Sequence, residues 1–219
     1  SGEPQISHPV IEPAPETEKS RPELGLEGPL PSLDQADGRL AEIFAKLFGP
    51  KSREEFFVVK NFIQRFVIMV DTLPNRTLPA AKIPVKKIAG DFLARGRGEA
   101  LTIDPANYRR YTPFVRLAET VDKKPLVAVY SRFYPLFQQA YEDLGYPHGY
   151  FNDRLIEVID HLLAAPRVPD PIRLVRPKVR YQFADSEMEA YSAGWKVLIR
   201  TDRKTPNGSN KSSGITGTC

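Results

Sequence analysis

The chain has 219 residues and a formal net charge of +4, a size that fits one domain with tails. Its basic residues are interspersed with acidic ones, which argues against the clustered stripe of a nucleic-acid-binding surface. Cys219 is the sole cysteine, which excludes a disulfide framework and a thiolate metal site. Three scattered histidines, His8, His148 and His161, make no zinc constellation, and no run of 18 apolar residues is present to span a bilayer.

Residues 1–31 hold seven of the 21 prolines and no aromatic residue. Such a stretch buries too little apolar area to offset chain ordering, so it reads as a Pro-rich disordered linker. The chain begins at Ser1 rather than methionine, and an upstream signal or anchor is expected. Order is expected over residues 32–200.

The first helix takes Ser32 or Asp34 as its cap, follows Leu40, Ile43, Phe44 and Leu47, and stops at Gly49 and Pro50. From Ser52, with Glu55 at capping-box spacing, one long central helix is predicted to run through Phe56, Val59, Ile63, Phe66 and Val70. Three prolines in residues 74–92 exclude regular helix and make this a crossing segment. Phe92 and Leu93 before RGRG, with Leu101 and Ile103 after it, predict a short hairpin rather than a phosphate loop, since no lysine and helix follow in P-loop order.

Asp104 and Pro105 open the next helix. Another is predicted from Lys123 to Leu144, with Leu126, Tyr130, Phe133, Phe137, Tyr141 and Leu144 inside, a bend near Ser131 from Pro135, and Gly145 as its stop. After a four-residue connection, the helix carrying Phe151, Leu155, Val158, Ile159 and Leu162 is expected to pair antiparallel with it. Val179, Tyr181 and Phe183 predict a short edge strand, and a last helix is capped by Asp185 or Ser186. The fold class is therefore mainly α: about six helices around one core, with a small β-hairpin and a short extended edge strand.

The stretch YPLFQQAYEDLGYPHGYFNDRLIEVIDHLLAAP, together with PANYRRYTPFVRLAE, LVRPKVRYQFAD and SAGWKVLIR, resembles a proteobacterial family known only as a domain of unknown function. The resemblance covers most of residues 32–200. Members look like single-pass inner-membrane proteins: a transmembrane helix, a Pro/Ala-rich linker, then this domain. The resemblance thus implies a linker in residues 1–31, an anchor upstream and a periplasmic domain, and it brings no catalytic residues. It stops at Arg200, where the family continues into a Gly-Pro turn and a basic amphipathic helix. This chain reads TDRKTPNGSNKSSGITGTC instead. Codons for Thr201 onward can be chosen so that a frame two bases later encodes such a turn and helix. Residues 201–219 are accordingly expected to be a frameshifted, disordered ending.

Asp153, Glu157 and His161 share one helix face at successive i, i+4 positions, a set that could bind a metal or perform acid–base chemistry. The opposing reading is a solvated face with helix salt bridges, since no diagnostic metal-binding spacing is present. Arg109, Arg110, Tyr111 and Arg116 could bind phosphate or carbohydrate by charge-assisted bonds and stacking, or the arginines could pair with acids such as Glu119. Tyr146, His148 and Tyr150 could rim a pocket at the interhelical turn, or simply staple it. Ser131 and Ser192 lack a nucleophile elbow. No metal site and no cofactor are expected. The favoured reading is a non-catalytic module of the cell envelope, binding an envelope protein or cell-wall component and reaching the membrane through an anchor outside this chain. The alternatives are an envelope polymer hydrolase using the acidic/His face and, weaker than that, binding of anionic lipid or nucleic acid through the arginines; nucleic acid is not the expected partner.

Overall fold

The computed structural model describes residues 8–10 and 23–201. Residues 1–7 and 11–22 of the expected linker, and 202–219 of the expected tail, lie outside the described residues. Among the described residues there are eight α-helices: α1 (Ala36–Phe48), α2 (Pro50–Phe56), α3 (Phe62–Thr72), α4 (Ala106–Thr120), α5 (Lys123–Asp143), α6 (Phe151–Leu163), α7 (Ser186–Ala190) and α8 (Ala193–Thr201). Four two-residue strands accompany them: β1 (Ala94–Arg95), β2 (Thr102–Ile103), β3 (Leu174–Val175) and β4 (Gln182–Phe183). The fold is mainly α with a small hairpin. Its buried apolar residues form two clusters, a larger one among α1, α3, α5 and α6 and a smaller one around the strands and Ile199.

Several helix ends follow local chemistry. Gly49 ends α1 at a positive φ of 82°, Asp104 Oδ1 accepts the Ala106 amide at 2.7 Å, and Asp122 caps α5 through the Lys124 amide at 3.0 Å. The predicted long central helix is instead two, α2 and α3. Between them Phe57 is extended and bridges Val85, the Val58 amide donates to the Pro84 carbonyl at 2.8 Å, and the Lys86 amide donates to the Phe56 carbonyl at 2.8 Å. The crossing segment thus supplies a strand partner that β-branched Val58 and Val59 favour over helix.

After this break α3 restarts at Asn61, which holds a left-handed φ of 53° that asparagine tolerates. Its first amides are capped from another helix: Asp37 of α1 accepts from Asn61 N at 2.6 Å and from Phe62 N at 3.1 Å. Replacing Asp37 by alanine is expected to cost about 1–2 kcal/mol, read as a shift in the urea midpoint with an unchanged slope.

The larger core also takes in part of the stretch read as linker. Leu24 and Leu26 are buried. The backbone there is satisfied by cations: Arg39 donates to the Gly25 and Glu27 carbonyls, Lys46 to Glu23 O at 2.8 Å, and Arg132 to Leu26 O at 3.1 Å and to Gly28 O. Three side chains from α1 and α5 therefore let an otherwise unpaired segment lie against apolar neighbours.

On α5 the buried stripe is Val129, Phe133, Leu136, Phe137, Ala140 and Tyr141, whereas Leu126 and Leu144 are exposed. Ile159 of α6 is exposed as well, while Phe151 and Val158 are buried. The expected antiparallel pairing of α5 with α6 gives way to a crossing. The first turn of α6 meets the middle of α5: Phe151 stacks on Phe137 at 5.7 Å, and Tyr130 donates to Asn152 Oδ1 at 2.8 Å. An antiparallel pair would put Tyr130, about 20 Å back along α5, against the far end of α6. Gln138 causes the early contact by gripping the loop, donating to Gly149 O at 2.7 Å and accepting from Phe151 N at 2.8 Å. α3 packs on both helices, with Phe66 5.4 Å from Phe137 and 6.2 Å from Phe151. The rings of this region are interior filling shared by three helices.

β1 pairs antiparallel with β2, and β3 with β4. A bridge between Thr102 and Arg173 joins the two ladders. The last predicted helix is also divided, because Tyr191 is extended and Ser192 starts α8 by accepting the Trp195 amide at 3.1 Å. The first amides of α8 dock on the end of α3: Ala193 N donates to Asn75 O at 2.6 Å and Gly194 N to Leu73 O at 2.9 Å. A Cβ at position 194 would sit 2.5 Å from Leu162 Cδ2 and 3.2 Å from Leu73 O, so glycine permits the close approach.

Candidate functional site: a basic-rimmed apolar cavity

Two features compete for function, the polar face of α6 and the surface around α4. On α6 the three candidate residues each have a structural partner. Asp153 Oδ1 accepts from the His8 amide at 2.5 Å, while its neighbour Asn152 donates to His8 O at 2.7 Å. Glu157 pairs with Arg154 at 2.9 Å, and Arg154 also reaches Asp71 of α3 at 3.3 Å and the Asp71 carbonyl at 2.9 Å. Burial works against the Arg154 charge, but the hydrogen bond and charge of Glu157 and the charge of Asp71 outweigh it and raise its pKa above the ordinary arginine value.

His161 lies flat on Trp195 of α8, with ring centroids 4.8 Å apart and planes 5° from parallel. Its Nε2 is 2.8 Å from Ser192 Oγ, and its carbonyl accepts from Trp195 Nε1 at 2.7 Å. Ser192, noted for lacking an elbow, is a helix cap tied to this stack. The face therefore splits into three separate anchors: one for the N-terminal segment, one for α3 and one for α8. Among the described residues no group of three or more His, Cys, Asp or Glu side chains is placed to hold a metal ion.

At the turn between α5 and α6, Tyr146 stacks on Tyr141 at 4.6 Å and its hydroxyl lies 3.4 Å from Asp71 Oδ2. Tyr150 is the residue before α6, and His148 is exposed on the turn. The tyrosine contacts staple the turn onto α3 and α5.

The arginine cluster divides. Arg109, Arg110 and Tyr111 line a cavity of about 470 Å³ between α2, the crossing segment, α4 and α8. Arg116 is exposed on α4 and does not line it. Among the described residues no ion pair joins these arginines to Glu119. Arg110 instead holds the crossing segment to α4, donating to Ala89 O at 3.2 Å, Gly90 O at 2.6 Å and Asn107 Oδ1 at 3.0 Å.

The floor of this cavity is apolar: Phe56, Ile83, Val85, Ile88, Phe114 and Val197. Phe56 and Phe114 meet edge to face at 5.9 Å. Its rim carries Lys86, Lys87, Arg109 and Arg110 against one acid, Glu55. Lys86 donates to the Glu54 carbonyl, an uncharged acceptor, and makes no ion pair among the described residues. Sequence reading missed this floor and the two lysines. Their one local signal is the alternation Ile83, Val85 before Lys86, Lys87 and Ile88, which the bridge from Phe57 to Val85 turns into a wall. An apolar floor with a cationic rim has the chemistry to take an amphipathic acidic segment, because apolar burial gives affinity while the charges set orientation.

No curated protein and no solved structure matches the chain. A family profile does, over residues 62–207, two thirds of the length, starting at α3 and continuing past Arg200, the expected end of the resemblance. The chain belongs to that family, described as protein of unknown function (DUF3014).

Proposed function

We propose that this domain is a non-catalytic binding module whose cavity between α2, the crossing segment, α4 and α8 receives an acidic, partly apolar segment of a partner protein. The observation that carries the reading is the make-up of that cavity, four cations and an apolar floor facing a single acid. The engagement of Asp153, Glu157 and His161 in three separate anchors supports binding over acid–base chemistry. The location we propose is the bacterial envelope, with the module attached to the inner membrane and its partner an envelope protein. The Pro-rich composition of residues 1–31 and the resemblance described above support that location. No helix among the described residues is long and apolar enough to cross a membrane.

The test is co-purification of crosslinked partners from cells carrying the whole protein. Lys87→Glu with Arg109→Glu is expected to lower partner recovery about tenfold or more. Asp153→Asn with Glu157→Gln is expected to leave recovery unchanged once folding is matched. The opposite pattern would return the α6 face to contention and remove the cavity from it.

A further inference from the structure

Beside this cavity lies a second of about 650 Å³, sharing Lys87 with it and lined otherwise by the start of the hairpin, the loop from Arg176 to Tyr181, and Arg200. Four cations point into the lining, Lys87, Arg176, Arg180 and Arg200, against one acid, Asp91. Among the described residues none of the four makes an ion pair or a side-chain hydrogen bond. Two of the guanidiniums are held instead by aromatic faces. Arg176 lies 5.2 Å above the Tyr181 ring, and Arg200 lies 4.8 Å from the Phe183 ring and 5.8 Å from the Phe92 ring.

Stacking of this kind fixes the plane of a guanidinium while leaving its N–H edge free to donate. Arg200 Nε is buried without a hydrogen-bond partner. Burial pushes the Arg200 pKa down, with the charges of Glu189 and Tyr111 opposing, so its charge is held at a cost. Like charges gathered in one concavity repel, and such an arrangement is stabilised when a dense counter-charge enters.

We propose that this second cavity binds a ligand carrying two or more phosphate groups. The inference goes beyond the partner-binding reading and does not depend on it. A phosphate group presents up to three acceptor oxygens and nearly two negative charges, and the fork of an arginine matches it with two parallel hydrogen bonds. Cavities of this size hold small molecules rather than a lone ion. Four cations from three chain segments match two such groups.

The test uses the intact protein at low salt with inorganic pyrophosphate as probe, followed by calorimetry and by thermal unfolding. Saturable binding with a raised Tm is expected. Arg176→Ala with Arg180→Ala is expected to weaken it about tenfold or more. Arg116→Ala, an exposed arginine of α4 that lines neither cavity, leaves it unchanged. Both altered arginines are exposed, so the unliganded variant is expected to unfold at the wild-type temperature. Vesicles containing cardiolipin, which bears two phosphates, are the second arm, with phosphatidylcholine vesicles as control. Binding to pyrophosphate assigns a soluble ligand, and binding to cardiolipin vesicles alone assigns a lipid headgroup. Absence of both overturns the proposal. So does binding that survives the double substitution, equal binding of citrate, or tighter binding of a short oligonucleotide than of pyrophosphate.

Discussion

Replacing Phe151 by alanine is expected to destabilise the domain by about 3–5 kcal/mol. Its side chain is fully buried and sits where three helices meet, stacked on Phe137 at 5.7 Å, tilted against Tyr141 at 5.7 Å and edge-on to Phe66 at 6.2 Å. The backbone at this position is fixed by Gln138, so α6 cannot slide inward to fill the space. Truncation thus removes the transfer free energy of the ring and leaves a cavity walled by other rings. A single domain has about 5–15 kcal/mol of stability in all, so the loss is severe. Leu163, 79% exposed at the end of the same helix, is the control, and its alanine variant is expected within about 0.5 kcal/mol of wild type. Urea denaturation reads both. Equal midpoints for the two variants would show that the rings around α5 and α6 are not the interior of the fold.

Asn107→Leu is the second large effect, at about 2–4 kcal/mol. Asn107 is fully buried in the first turn of α4. Its Oδ1 accepts from Leu93 N at 3.0 Å and from Arg110 Nη1 at 3.0 Å, while Nδ2 donates to the Leu93 carbonyl. Leucine keeps the branched shape of the side chain and removes every one of these bonds, stranding a backbone donor and a guanidinium N–H. The damage is expected to spread, because Arg110 also holds Ala89 and Gly90. Amide hydrogen exchange should therefore rise at Leu93 and in the crossing segment while α5 stays protected. Uniform loss of protection, or none, would contradict this local stapling role.

What could be read from the sequence was whatever neighbours in the chain decide. Gly49, Asp104 and Asp185 mark helix ends through atoms a few residues away, and the hairpin at 94–103 follows from its own glycines and apolar residues. The break between α2 and α3 was not legible, because the partner of Phe57 and Val58 lies near Val85 and the cap of Asn61 comes from Asp37. Hydrophobic periodicity ran straight through it. The crossing of α5 and α6 escaped for a similar reason, since loop length alone suggests a hairpin and only Gln138 shows otherwise. The burial of Leu24 and Leu26 depends on Arg39, Lys46 and Arg132, cations that are remote in sequence.

The candidate site was half legible. Arg109, Arg110 and Tyr111 stood out by type and adjacency, but the apolar floor beneath them comes from four separate elements. His161 attracted a catalytic reading because it stands in register with two acids. Its role is set by Trp195, 34 residues on and invisible to helical spacing.

The proposed function requires that the α6 face hold the fold together while the basic-rimmed cavity meets the partner. The most direct measurement is site-specific photocrosslinking in cells, with a photoreactive side chain in place of Val197 in the cavity or of Glu157 on α6. Adducts from position 197 and none from position 157 are the predicted result. Adducts from position 157 with none from position 197 would contradict it.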